Sequence, residues 1–365
     1  MSTVIKFTGN DSTGSQPIYA VNLAKHLSRL LSLEVLTTAP QLFSDMAGIS
    51  ISTVSANRFR GAIGGVLNNL KMWFLVNGKY KRNDIIIAIN PFEAVPMPKF
   101  RQILIIHDLV PLVFPDEYPL SSRYYRFVLS AAVKRSMHVI VISESTKKDV
   151  MRFFNVPEEK ISVVYNGFGN EMLSVGREKD ISSKIEGPFM LYVGGQSYHK
   201  NILKLLEAYD ILVRDYGRGE KLVLAGAFHR RTHDSLMGYA QRRDLSERIK
   251  FLGPVPDSEL KWLYGNARLF VFPSFYEGFG FPPLEAMSHG VPVAASNASS
   301  IPEICGDAAH YMNPHRADEM AKSIYDLLEK NQLREELKRK GMERIKKFTW
   351  ENTARGFYSV ISSLQ

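Results

Sequence analysis

Short apolar runs alternate with stretches of helical period along the chain, and the alternation occurs twice. A strand covered on both faces reads as a near-continuous apolar run, whereas an amphipathic helix repeats its apolar positions every three or four residues. In the first half, residues 4–8, 34–37, 51–54, 84–89, 103–106, 139–142 and 161–164 read as strands. Between them lie helical stretches such as 17–31, where Ile18, Val21, Ala24, Leu27 and Leu31 form one stripe, and 122–134. The pattern fades into Gly, Ser and charge over 166–188 and then restarts, with strands predicted at 189–193, 222–225, 249–252, 269–272, 292–295 and 309–312. A long Lys/Glu-rich helical tail is expected over 317–347, and Thr349 is placed to N-cap a last helix to Ser363. Strands alternating with helices predict two open parallel sheets, each covered on both faces.

The 365 residues suffice for two domains that each bury a core. The expected division is 1–170, 171–347 and a terminal helix at 348–365. No apolar stretch approaches the ~20 residues needed to cross a bilayer, and the N-terminus runs directly into a strand. The expectation is a cytoplasmic protein. The single cysteine, Cys305, excludes an internal disulfide and a cysteine-cluster zinc site, and reads as a small core residue.

Charge changes this picture in one respect. Of the net +9, residues 1–170 carry most, with 19 Lys+Arg against 12 Asp+Glu. No nucleic-acid module is recognisable, so no nucleic-acid partner is expected; an anionic membrane surface or a lipid-diphosphate partner accounts for the asymmetry better. Arg58, Arg60, Lys71, Lys79, Lys81 and Arg82 concentrate it around Leu67, Leu70, Trp73, Phe74 and Leu75. That stretch reads either as an ordinary amphipathic helix or as one that touches a membrane.

The candidate chemistry centres on the run from Pro273 to Met287, Pro-Ser-Phe-Tyr-Glu-Gly-Phe-Gly-Phe-Pro-Pro-Leu-Glu-Ala-Met, which places Glu277 and Glu285 on either side of a strand-to-helix turn. Gly278 and Gly280 let the backbone approach a bound group, and the following helix start offers amide donors and the positive end of a dipole. Each carboxylate can accept two hydrogen bonds from a vicinal diol, so the set suits a phosphate carried between two sugars. Read alone, the same run is also compatible with a solvated loop. Ligands of open α/β sheets bind outside the carboxyl ends of the strands, where His107, Lys200 and Glu277 all fall.

Together with six further blocks in order, this run resembles the signature of retaining glycosyltransferases of family four. The blocks are His107-Asp108-Leu-Val-Pro111, the segment from Val141 to Asp149, Ile161-Ser-Val-Val-Tyr-Asn-Gly167, the segment from Tyr192 to Asn201, and Phe251-Leu-Gly-Pro-Val255 with Gly290-Val-Pro-Val293. The resemblance implies the GT-B fold, an α/β architecture of two facing Rossmann-like doubly wound domains with a cleft between them. It implies a terminal helix that crosses back to the first domain. It also implies a nucleotide-sugar donor, GDP-mannose first and UDP-hexoses behind it, and a lipid-linked saccharide acceptor in surface-polysaccharide biosynthesis (O-antigen, lipopolysaccharide or capsule) on the inner face of the plasma membrane.

By the same resemblance Lys200 holds the diphosphate, Glu285 the ribose and Glu277 the transferred sugar. The amides of Phe279 to Phe281 lie over sugar and phosphate, His107 contacts the sugar, and Gly14 belongs to a first βα loop around the diphosphate. Two positions depart from the family: Gly195 stands where an arginine is usual, leaving His199, Arg230 or Arg231 to compensate, and Gln16-Pro-Ile-Tyr19 replaces Gly-x-x-Arg-Tyr. No Asp-x-Asp occurs, so no metal and no cofactor is expected. Two other classes share the site: a nucleotide-sugar epimerase of the same fold, and a non-catalytic nucleotide-sugar-binding partner.

Overall fold

The central strands are short and mostly apolar because both of their faces are covered, as Ile85–Ala88 shows with every residue buried. The computed structural model describes residues 2–7, 15–54, 71–169, 179–228 and 230–364. It divides into two units, Met1–Gly167 with Thr349–Gln365, and Phe168–Phe348. In the first unit, β1 (Thr3–Phe7), β2 (Leu33–Thr37), β3 (Ile49–Thr53), β4 (Ile85–Ala88), β5 (Arg101–Ile106), β6 (His138–Val141) and β7 (Ile161–Val163) pair in the order β3-β2-β1-β4-β5-β6-β7. Each pairing is parallel. The order reverses between β1 and β4, the topological switch point of a doubly wound sheet.

Among the polar side chains buried in this unit is a lysine. Lys6, on β1, is buried and donates through Nζ to the carbonyl of Glu93 at 2.6 Å. Burial opposes its charge and lowers its pKa to about 8, with Glu93 acting in the opposite sense. The edge strand β3 is only partly covered, which is why its apolar positions alternate with Ser and Thr.

The last helix, Trp350–Ser363, belongs to the first unit. Thr349 caps it by accepting from the amide of Asn352, and Thr353 donates to the carbonyl of Tyr165 at 2.8 Å. Gly167 is required at the close approach, since a Cβ there would lie 2.4 Å from the Trp350 ring.

The second unit has β8 (Phe189–Val193), β9 (Lys221–Ala225), β10 (Ile249–Gly253), β11 (Leu269–Phe272), β12 (Val293–Ser296) and β13 (Ala309–Met312), in the order β10-β9-β8-β11-β12-β13. Here too all pairings are parallel, and the switch point lies between β8 and β11. Cys305 is buried beside β13, and burial pushes its thiol up to about 12.

Two helical expectations are corrected. The stretch 122–134 is three segments, Pro119–Tyr124, a π-helical turn Tyr125–Leu129 and Ser130–Arg135, and the wider turn keeps Tyr125 and Leu129 buried with Ala132 and Val133. The tail 317–347 breaks at Lys330 into Ala317–Glu329 and Asn331–Ile345. Arg334 reaches back to donate to the carbonyls of Leu327 and Leu328, both at 2.6 Å, and so satisfies the open end of the first helix. Of the Gly/Ser-rich connection expected over 166–188, residues 170–178 lie outside the described residues.

Candidate active site

The loops that follow β8 and β11 flank the switch point of the second unit, and they carry Lys200 and Glu277. Close approach of the neighbouring loops is possible because Gly226 has φ +137° and no side chain; a Cβ there would lie 2.1 Å from the carbonyl oxygen of Gly194. After β8 the chain makes a 3-10 turn over Tyr198–Lys200 and then Asn201 adopts a left-handed conformation, φ 59°. The buried Asn201 amide donates to the carbonyls of Pro273 (3.0 Å) and Pro314 (2.7 Å), and the amide N–H of Phe275 donates to the carbonyl of His199 at 2.8 Å. These bonds fix the Lys200 loop to the Glu277 loop.

Lys200 Nζ donates to both carboxylate oxygens of Glu277, at 2.8 and 2.9 Å, and lies 6.0 Å from the Phe272 ring centroid. The two side chains are 21% and 12% exposed, so the pair is within reach of a ligand and still largely shielded from water. Two serines hold the Glu277 backbone. The Ser299 hydroxyl accepts from the Glu277 amide at 3.2 Å and donates to the Glu277 carbonyl at 2.7 Å. The hydroxyl of Ser300 lies 2.9 Å from that same carbonyl and 3.0 Å from that of Phe279.

Gly278 and Phe279 lead to Gly280, whose φ of +109° turns the chain into the helix Phe281–Ser288. Pro282 and Pro283 occupy its first turn and carry no N–H, so this helix start presents fewer amide donors than an ordinary one; Gly280 and Phe281 keep theirs. One turn on, Tyr264 donates to Glu285 Oε2 at 2.7 Å. Oε1 of Glu285 has no protein partner among the described residues. Burial raises the Glu285 carboxyl above the ordinary glutamate value; the Tyr264 hydrogen bond opposes the rise and Asp257 adds to it.

His199 does not supply a second cation. Burial lowers its pKa to about 4, with Lys200 acting in the same direction and Glu277 against it, so the imidazole is neutral near pH 7. The side chains of Arg230 and Arg231 lie outside what the structure describes, as do Gly14 and the rest of the first βα loop.

His107 belongs to the first unit, at the end of β5. Its Nε2 lies 2.8 Å from the carbonyl of Ile89, and a carbonyl can only accept, so Nε2 carries the proton and Nδ1 the lone pair. Tyr19 packs edge-on against the ring at 4.8 Å, and burial lowers the pKa to about 4. His107 is therefore a neutral acceptor at Nδ1.

Sequence reasoning named Lys200, Glu277, Glu285 and His107, of which the structure brings Lys200 and Glu277 together; it gave no role to Asn201, Tyr264, Ser299 or Ser300, which hold the two loops and Glu285. The Ser-Ser pair after β12 sits at a strand end of the same sheet edge, which is the signal by which it was accessible. Among the described residues, no group of three or more His, Cys, Asp or Glu is placed to hold a metal ion, and no helix is long and apolar enough to cross a membrane.

Residues 177–344 match the family model of glycosyl transferases group 1, and residues 16–169 that of glycosyltransferase family 4. The chain is 33% identical over 259 residues to O-antigen chain mannosyltransferase B of Escherichia coli, covering 69% of this chain and 68% of that protein. It is also 33% identical to O-antigen chain mannosyltransferase RfbU of Salmonella typhimurium, covering 66% of this chain and 65% of that one. Among solved structures, the sucrose-phosphate synthase of Thermosynechococcus elongatus superposes with TM-score 0.76 at 19% identity, covering 100% of this chain and 99% of that one. Anabaena HepE in complex with UDP-glucose gives TM-score 0.76 at 18% identity, with 100% of both chains covered.

Proposed function

Because the chain belongs to the group 1, family-four glycosyltransferases of GT-B fold, hexosyltransferases among whose relatives are makers of surface polysaccharide, we propose that it transfers mannose from GDP-mannose, with retention of configuration, to a hydroxyl of a lipid-linked saccharide. Mannose is chosen because the two O-antigen relatives above are named mannosyltransferases. The proposed place of work is the cytoplasmic face of the membrane that holds such an acceptor.

The observation that carries the reading is the Lys200–Glu277 pair at the switch point of the second sheet. An arriving diphosphate competes with Glu277 for the Lys200 ammonium, and a carboxylate released from its cation accepts hydrogen bonds from sugar hydroxyls. One binding event therefore distributes the pair over the two ends of the donor. As the sugar–phosphate bond breaks, charge gathers on the leaving diphosphate, where Lys200 and the amides of Gly280 and Phe281 stabilise it. Glu285 Oε1 accepts from the ribose. Asn201, Ser299 and Ser300 hold these groups in place before the donor arrives, so little reorganisation is needed. The role proposed for His107 is to accept a substrate hydroxyl at Nδ1, the nitrogen that the Ile89 contact leaves unprotonated.

The test is incubation with a panel of labelled nucleotide-sugars, with and without a lipid-linked acceptor. Acceptor-dependent product from GDP-mannose, with the α-anomer conserved by NMR, is the expected result. Epimer formed without acceptor would replace this reading with an isomerase. Binding of the donor with no turnover in the presence of any acceptor would replace it with a binding partner.

A further inference from the structure

We propose that a basic hollow at the strand-start edge of the first unit's sheet is where the protein grips the phosphate groups of an anionic membrane. The hollow, about 650 Å³, is lined by Arg82, Lys99, Arg101 and Arg135, with Phe100 and Met137 in its wall. Arg101 opens β5, Met137 precedes β6 and Arg82 precedes β4, so the hollow lies at the opposite end of this sheet from His107. It is distinct from the strand ends at which substrate chemistry is placed.

Its cations are unusually available. Among the described residues, no carboxylate lines the hollow, and Arg82, Lys99 and Arg135 have no acidic partner. Arg101 donates to the carbonyl of Leu364. The acid nearest in sequence, Asp84, is already engaged by the backbone amides of Ser2 and Lys81, each at 2.9 Å. Lys79, by contrast, is bonded to Glu34 at 2.7 Å and to Ser52, so it is an internal tether of this unit. The structure thus shifts the available charge away from Lys79 and joins Arg82 to Lys99, Arg101 and Arg135, three residues that the sequence pattern had not grouped with it.

Two exposed apolar side chains make a membrane the favoured occupant over a soluble phosphate. Met97, 71% exposed, is two residues from Lys99, and Phe74, 79% exposed, stands on the helix 71–79. Asn77, one turn after Phe74, grips the same rim: its amide donates to the carbonyl of Met97 at 3.2 Å, and its carbonyl accepts from the amide of Lys99 at 2.9 Å. Phe74, Met97 and the cations therefore share one rim. A guanidinium cluster pairs with phosphate oxygens while flanking apolar groups enter the interface. This assignment rests on the reading that the acceptor is lipid-linked, and its test is separable from that reading.

The test is cosedimentation of the full chain with vesicles of phosphatidylcholine alone or with phosphatidylglycerol added, for the wild type and for the triple variant Arg82→Glu, Lys99→Glu, Arg135→Glu. Binding should need the anionic lipid, weaken with salt, and fall on the order of 10²-fold in the triple variant. Phe74→Ser should lower binding while leaving the salt dependence in place. An unchanged melting temperature shows that the variants fold; if the triple variant does not, Arg135→Glu alone must still show a measurable loss. Equal binding to neutral vesicles, or full binding by a folded triple variant, overturns the proposal. So does binding of inorganic pyrophosphate or a single-stranded oligonucleotide that depends on these residues while vesicles are not bound. Failure of transfer with vesicle binding intact would overturn the enzymatic reading and leave the hollow's role standing.

Discussion

Lys200 Nζ lies 2.8 and 2.9 Å from the two carboxylate oxygens of Glu277, and the residues are 77 positions apart in the chain. The contact joins the loops after β8 and β11, neighbours at which the strand order reverses. A cation and an anion placed together at a switch point, each partly shielded, neutralise one another; in the proposed reading a ligand carrying both phosphate and hydroxyls separates them.

The first consequence concerns turnover. Lys200→Ala and Glu277→Ala should each lower kcat by ~10²-fold or more, the usual scale for removing a preorganised electrostatic contact. Because the two residues contact one another, the double variant should lose much less than the product of the single losses. Steady-state kinetics on the four proteins checks this; strictly multiplicative losses would show that the pair does not act as a unit.

Glu285 supplies a pH signature. Its carboxyl is raised by burial and partly restored by the Tyr264 hydrogen bond. Protonation removes its ability to accept from a ribose hydroxyl, so donor affinity should fall as pH is lowered, starting above the ordinary glutamate range. Tyr264→Phe deletes the contact that favours the ionised form, and should move this fall to higher pH. His107 and His199, both lowered to about 4, should contribute no limb between pH 5.5 and 8, a window well above the value of each. A donor-binding curve measured against pH for wild type and Tyr264→Phe checks the direction.

Leaving-group stabilisation is assigned to Lys200 and to backbone amides, and the chain contains no Asp-x-Asp. Transfer should therefore proceed at its full rate in chelator. Loss of activity that added Mg²⁺ or Mn²⁺ restores would place that stabilisation on a metal.

Gly167→Ala tests the seat of the last helix. The added Cβ would lie 2.4 Å from the Trp350 ring, too close for either atom, so the helix start must shift. A loss of about 1–3 kcal/mol is expected, the range for overpacking a buried contact, and thermal unfolding should show it as a lowered Tm.

How much of this was legible in the sequence depends on what fixed each feature. The strands at 189–193, 269–272 and 309–312 have the predicted limits, because a short apolar run bounded by turn residues defines itself locally. The edge strand β3 begins two residues earlier than its apolar pattern suggested, since it is only partly covered. The break at Lys330 was hidden because the surrounding residues favour helix; the stop depends on Arg334 reaching back to the carbonyls of Leu327 and Leu328. Within the site, charged residues in recognisable blocks were legible. Their supports were not: Asn201, Ser299 and Ser300 are ordinary turn residues in sequence, and only their partners reveal what they hold. His199 looked like a replacement cation because burial, which keeps it neutral, leaves no mark on one position of a sequence.

The central claim is that Lys200 holds the diphosphate and Glu277 the sugar, and calorimetric titration of the nucleoside diphosphate product separates the two most directly. Lys200→Ala should abolish or greatly weaken binding of this sugar-free ligand. Glu277→Ala should retain it, or bind it more tightly because Lys200 has lost its competing partner, while transfer is lost. Unchanged affinity in Lys200→Ala, or a parallel loss of diphosphate binding in Glu277→Ala, would contradict the account.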